Sequence, residues 1–170
     1  QGLMHATSDD LDRWTKDPEF LNFADEERYE RHDWRDPFVF KHPETGKFNM
    51  IVAARDKIGG ASRRGLTALL VSDDLQRWTI EEPFYAPARY HGHECPDWFK
   101  IGDWYYLIFS EYTTPTATRY VMSRSPSGPW HAPDNNQFDN RAFYAAKTSS
   151  DGDRRFIYGW NPSKVGDSDS

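Results

Sequence analysis

The sequence predicts an all-β chain, part of a five-bladed β-propeller (about half to three-fifths of the ring) with four-stranded antiparallel blades. Three observations predict it. Short apolar-aromatic runs alternate with turns rich in Pro, Gly and Asp, one ten-residue pattern recurs, and no segment carries the clean apolar stripe of a long amphipathic helix.

The recurring pattern is "HATSDDLDRW" (His5 to Trp14), echoed by "LLVSDDLQRW" (Leu69 to Trp78), with a looser third copy in "YVMSRSPSGPW" ending at Trp130. A second series interleaves with it: "RDPFVFKHPETGKFNMIVAAR" from Arg35, "ECPDWFKIGDWYYLIFSEY" from Glu94 and "FYAAKTSSDGDRRFIYGWNP" from Phe143. Each copy is an apolar run, a turn ("PETGK", "IGD", "SDGD") and a second run of β-branched and aromatic residues, which is hairpin chemistry. One unit therefore reads as strand A, hairpin, strand B, linker, strand C, "SDDLxRW" turn and strand D, repeated at roughly 50–60 residues.

In chain order, residues 1–20 supply the end of one blade, 34–83 a whole blade, 94–133 a second, and 143–160 the start of the next. The segment "DPEFLNFADEERYERHD" keeps no clean stripe and reads as a loop. A β-sandwich would use the same strands but would not require the long-period echo. An arc of a ring would leave edges and core faces open, so the chain reads as an internal fragment of a larger propeller.

Composition narrows the function classes. The chain has 170 residues, 37% hydrophobic, 16% aromatic with seven Trp, and a net charge of −6, which suggests neither nucleic acid nor an anionic membrane as partner. One Cys excludes an internal disulfide framework and a multi-thiolate zinc site. No apolar run reaches membrane-spanning length. "QGLMHATSDD" reads as mid-domain sequence, so compartment stays open, as does oligomeric state.

In a propeller the innermost strand of each blade faces the central channel, and ligands sit where those strands begin. Two such entrances hold "WRDP" and "HECPD", placing Asp36 and Glu94 at near-equivalent positions on neighbouring blades. Two carboxylates converging on one funnel suit glycosidic bond cleavage: one stays protonated to donate to the leaving oxygen, others stay ionised beside a positively charged transition state. The plain alternatives are a helper in an Asp-Pro turn for Asp36 and an exposed strand-edge acid for Glu94. Tyr144 and Lys147 stand at the third entrance, where they could bind sugar hydroxyls or serve as a packed tyrosine and a rim lysine. Trp34, Trp98 and Trp160 could stack on a sugar or pack between blades, and Arg63 and Arg64 read as rim residues.

His91, His93 and Glu94 raise the question of a metal. "HxHE" can offer two imidazoles and a carboxylate, but the other histidines (His5, His32, His42 and His131) are scattered, so the sequence predicts no metal and no cofactor. Cys95 has no second Cys to resolve a redox cycle.

"WRDPFVF" followed about sixty residues later by "HECPDWF" resembles glycoside hydrolase family 32, the invertase, inulinase and levanase family. The "SDDLxRW" turns, and "FYAAKTS" followed by "GWNP", are similar to that family's internal blades. The resemblance spans nearly all of the chain. It implies a five-bladed propeller that cleaves β-fructofuranosides (sucrose or fructans of the inulin or levan type) with retention, through a covalent fructosyl-enzyme. It implies Glu94 as general acid/base, Asp36 as the stabiliser of the transition state, Arg35 as the arginine that orients carboxylates and sugar, and Cys95 as a neighbour that tunes the acid.

One departure stands out. The family's nucleophile is an Asp in an early "NDPNG"-like motif, and none of the 170 residues forms one. Asp9, Asp10 and Asp12 lie in the outer "SDDL" turn, whose copy at Asp73 and Asp74 is not catalytic in kind. These residues therefore predict an acid and a stabiliser without their nucleophile. Two alternatives stay open: a related five-bladed, inverting glycosidase acting on arabinose or xylose polymers, and a carbohydrate-binding propeller without catalysis.

Overall fold

A computed structural model describes residues 1–113, 116–139 and 143–161. Among them are eleven strands in four antiparallel sheets, one 3₁₀ turn at Ala61–Arg63 and no α-helix. The first sheet pairs β1 (Gly2–Thr7) with β2 (Thr15–Phe23). The second runs β3 (Tyr29–Lys41), β4 (Phe48–Asp56), β5 (Gly65–Ser72) and the short β6 (Thr79–Ile80), each beside the next. The third holds β7 (Glu94–Ile101), β8 (Trp104–Glu111) and β9 (Ala117–Ser123), and the fourth pairs β10 (Tyr144–Ser150) with β11 (Arg155–Trp160). This is the all-β arrangement of part of a propeller.

The core lies between sheets. Leu3, Tyr29, Trp34, Met50, Val52 and Leu70 pack the first sheet on the second. Ile51, Phe84, Leu107, Phe109 and Val121, with Phe40 and Trp98 against them, join the second to the third. Phe99, Ile108 and Ala146 join the third to the fourth. A middle strand such as β4 is thus covered on both faces, which is why "NMIVAA" reads as a continuous apolar run rather than an alternating one. β3, β7 and β10 each form one edge of their sheets, and β7 packs against both β3 and β10, so these three are the inner strands.

The repeated turns fold alike. In the first, Ser8 Oγ accepts from the Leu11 amide at 2.8 Å and Asp10 Oδ1 accepts from Asp12 and Arg13; in the second, Ser72 and Asp74 do the same for Leu75, Gln76 and Arg77. Leu11 and Leu75 both take left-handed backbone there, at φ 64° and 65°. The β7–β8 turn uses Gly102 at φ 55°, a conformation without cost for glycine.

Two sequence expectations are corrected. The segment read as a loop is instead β2, a turn closed by Asp25, and the first residues of β3. β1 supplies the ladder partner of β2, and because Phe20 and Asn22 are half-buried while Leu21 and Phe23 stay exposed, the polar pattern hides the strand. The third sheet has three strands rather than four: its outer segment meets β9 at the isolated bridges Met122–His131 and Arg119–Gln137 and through a few further hydrogen bonds, without forming a continuous strand. Pro126, Pro129 and Pro133 in that stretch have no amide hydrogen to donate to a ladder. The "GWNP" motif leaves the described residues at Pro162.

Candidate active site

The three inner strands enter by the same irregularity. Arg35 pairs with Ala53, and pairing resumes only at Phe38–Ile51. Glu94 pairs with Ser110 and resumes at Asp97–Ile108; Tyr144 pairs with Trp160 and resumes at Lys147–Tyr158. The residue after each first pair is left-handed: Asp36 at φ 56°, Cys95 at φ 50° and Ala145 at φ 51°. A bulge re-aims the side chains beside it, and holding a non-glycine residue there costs on the order of 1 kcal/mol, so its presence at three entrances marks a built feature.

The register corrects the sequence reading by one residue. Arg35, Glu94 and Tyr144 are equivalent positions, and Asp36 corresponds to Cys95 rather than to Glu94. The two carboxylates meet because they occupy successive positions on adjacent bulges. The bulge supplies that offset, which no alignment of apolar runs reveals.

Around the entrances the side chains interlock. Arg35 Nη2 donates to Glu94 Oε1 at 2.6 Å, and Nη1 donates to Asp33 Oδ1 at 2.5 Å, while Nε lies 4.0 Å from Asp36 Oδ2. The Tyr144 hydroxyl donates to Glu94 Oε2, so both oxygens of that carboxylate are engaged. The Cys95 amide donates to Asp36 Oδ2 at 3.0 Å, with Sγ 3.7 Å from the same oxygen. Arg35, Asp36 and Glu94 are all half-buried.

Burial works against the Arg35 charge, but its hydrogen bonds to Asp33 and Glu94 outweigh it and hold the guanidinium protonated more firmly than a free one. Burial, then the bond to Glu94, pushes the Tyr144 phenol far up, keeping it a donor. Burial, then the Asp36 charge, pushes the Cys95 thiol up to about 11, so it stands beside the carboxylates as a neutral group. Two half-buried carboxylates, one gripped by a guanidinium and a phenol and the other by a main-chain amide, can divide proton transfer and charge stabilisation between them.

The remaining sequence candidates fall in different places. Lys147 donates to the Pro96 carbonyl at 2.6 Å and lies over the Phe38 ring, and burial lowers its proton affinity; it links two inner strands. Trp160 is half exposed and meets Tyr144 edge-on at 6.3 Å. Trp34 does not join the site: it is 0% exposed, packs on Tyr29 and donates its indole N–H to Asn22, so it offers no face to a sugar. Its neighbour Arg35 points the other way, as strand alternation requires. Trp98 stacks on Phe40 at 4.1 Å between sheets. His93 is buried against Phe109, while His91 meets Tyr112 edge-on at 5.0 Å. Arg63 is exposed, and Arg64 pairs with Glu30 at 2.6 Å.

Sequence reasoning missed Asp33, Glu30 and Arg55. Asp33 and Arg35 sit two apart on one strand and share a face, a signal that "DWR" carried. Arg55 closes the apolar run of β4, and its partners come from distant segments that no local pattern names. Asp97 was missed as well: buried, it accepts from the Thr148 amide and hydroxyl at 2.6 and 2.9 Å, tying β7 to β10. A cavity of about 700 Å³ lined by Phe99, Tyr106, Tyr120, Phe138 and Ile157 is the gap between the third and fourth sheets, apart from these carboxylates.

Comparison with known proteins bears on the fold and the family. The chain is similar to the raffinose invertase of Escherichia coli, at 34% identity over 79 residues, which covers 45% of this chain and 15% of that protein. Its fold is similar to the inulosucrase of Halalkalicoccus jeotgali, solved with kestose bound (TM-score 0.71, 19% identity, 94% of this chain and 49% of that one). It is also similar to the family 32 β-fructofuranosidase of Bombyx mori (TM-score 0.72, 20% identity, 94% and 36%). The chain thus spans less than half the length of these relatives. The model of the glycosyl hydrolases family 32 N-terminal domain matches residues 2–169, and the chain belongs to that family.

Proposed function

We propose that these residues supply the acid half of a retaining β-fructofuranosidase site acting on sucrose or on inulin- or levan-type fructans. The observation that carries this reading is the Arg35–Glu94–Tyr144 cluster beside Asp36, assembled by bulges on adjacent inner strands. Membership of family 32, a raffinose invertase among the relatives and kestose bound to a structural neighbour support fructosides as the substrate class.

In this mechanism Glu94 donates a proton to the leaving oxygen and then accepts one from water. Asp36 binds fructose hydroxyls and offsets the positive charge that develops on the ring. Arg35 holds Glu94 in place and contributes a donor to the sugar. Cys95 seats Asp36 through its main-chain amide. The carboxylate that attacks the anomeric carbon comes from residues other than these 170.

The test is fructose release by the full-length protein. It releases fructose from sucrose or inulin and no pentose from arabinan or xylan, and Glu94→Gln or Asp36→Asn lowers kcat by about 10³-fold or more with the fold intact. The 170-residue chain alone releases none. Pentose release, or parental turnover in either variant, contradicts the proposal.

A further inference from the structure

Arg55 is the most buried charged side chain of the charge network at the site, at 6% side-chain exposure, yet it touches neither Glu94 nor Asp36. Its Nε donates to Glu30 Oε2 at 2.8 Å and lies 3.6 Å from Asp33 Oδ2. One terminal nitrogen donates to the Ala61 carbonyl at 2.9 Å, and the other donates to the His91 carbonyl. A guanidinium is suited to this: it carries donors in several fixed directions and keeps its charge when buried, which an ammonium does not.

Two paths lead from Arg55 to the acid. The first is electrostatic and runs through side chains. Arg64, Glu30, Arg55, Asp33, Arg35 and Glu94 alternate in sign, with contacts of 2.6, 2.8, 3.6, 2.5 and 2.6 Å in turn. Arg55 and Arg35 thus hold the Asp33 carboxylate from opposite sides, and Asp33 in turn fixes the guanidinium that grips Glu94. The second path is main-chain. The segment leading into β7 crosses over the end of β5: Gly65, paired with Arg55, donates to the Tyr90 carbonyl at 2.9 Å, and a Cβ on Gly65 would fall 2.5 Å from the Gly92 nitrogen. Beside that crossing, Arg55 grips the His91 carbonyl, three residues before the acid. The second sheet therefore sets where the third sheet's carboxylate begins.

We propose that Arg55, acting with Asp33, is a positioning residue for Glu94: it locks the 90–93 segment and orients Arg35 without touching substrate. The inference rests on the reading of Glu94 as the acid. A misplacement of about 1 Å at a reacting group costs about 100-fold in rate, and Arg55 controls both the path of the chain into Glu94 and the cation held against it.

The experiment uses the full-length protein with sucrose as substrate and three variants, Arg55→Met, Arg55→Lys and Asp33→Asn, with folding checked by circular dichroism and thermal melting. Arg55→Met lowers kcat by about 100-fold with KM within about threefold. Arg55→Lys, which keeps the charge but cannot reach both carbonyls and both carboxylates, and Asp33→Asn each lose about tenfold. The pH profile separates positioning from a merely structural role. The charged and titratable groups around Glu94 and Arg55 are Arg35, Asp36, Asp33 and Glu30 from β3, Tyr144 and Lys147 from β10, Cys95 from β7, and His91 and Tyr112 from segments just outside the third sheet's strands. Removing the Arg55 cation from among them makes the carboxylates hold protons more tightly, so the high-pH limb of kcat/KM moves up in Arg55→Met and stays in place in Arg55→Lys.

If Arg55→Met does not fold, Arg55→Lys and Asp33→Asn carry the test through kcat. Unchanged kcat in the folded variants, or a loss accounted for wholly by the unfolded fraction, overturns the inference. A Glu94→Gln protein with parental turnover instead defeats the functional reading itself, so the two failures are distinguishable.

Discussion

Glu94 and His93 are neighbours with opposite fates. Glu94 opens toward the strand entrances, with both oxygens engaged. His93 turns into the core, stacks on Phe109 at 4.0 Å and, among the described residues, shares a hydrogen bond only with the Thr67 hydroxyl at 3.2 Å. Burial pushes its imidazole down to about 3 from the ordinary 6.5. The folded value lies below the unfolded one, so the stability His93 contributes is complete above pH 6.5. It is lost as pH falls from 6.5 toward 3, at about 1.4 kcal/mol per pH unit. The drop in melting temperature between pH 7 and pH 4.5 is therefore larger in the parent than in His93→Phe; buried acids such as Asp97 are common to both and cancel. An equal drop in both contradicts it. At this scale the sequence was legible in part. "RDP" and "EC" marked Arg35, Asp36, Glu94 and Cys95, which the fold brings together, while the "HxH" pair lies in the irregular segment before β7, with His93 buried on Phe109 and His91 against Tyr112. Trp34 misled because an indole is read equally well as a sugar platform or as core. Arg55 was illegible because its partners lie 25 and 36 residues away.

At the scale of elements, the repeating hairpins and the paired "SDDL" turns were readable because their chemistry is local: a Ser and an Asp cap four amides each time. The bulges were not. A bulge changes register without changing composition, so three left-handed residues as different as Asp36, Cys95 and Ala145 give no common signal. Nor was the crossing at Gly65, which depends on backbone from the next sheet. That crossing makes a prediction. A methyl group on Gly65 meets main-chain atoms of His91 and Gly92 at 2.5–2.7 Å, so Gly65→Ala forces the segment outward. Overpacking of this kind costs about 1–3 kcal/mol. Gly65→Ala therefore lowers the melting temperature of the full-length protein, while Gly60→Ala, whose added Cβ meets nothing within 4 Å, does not. Equal melting temperatures in the two variants contradict the crossing.

Across the molecule, the stabilising unit is the interface between sheets. Each core cluster draws on two successive sheets, so each sheet entrance is held by its neighbour as much as by its own strands. The same arrangement builds the site: Arg35 and Asp36 from the second sheet, Glu94 and Cys95 from the third, and Tyr144 from the fourth meet where the inner strands begin. Fold class and family were legible from repeats and two short motifs, because a repeated unit prints its architecture several times over. The contacts across sheets were not, because they join segments tens of residues apart. The central claim is that these entrances hold a fructosyl ring. The most direct measurement is a crystal structure of the full-length Glu94→Gln protein soaked with sucrose. The account predicts the fructosyl ring within about 3 Å of Asp36, with the glycosidic oxygen within about 3 Å of the residue-94 side chain. A fructosyl unit bound elsewhere, with Asp36 and residue 94 free of sugar, would contradict it.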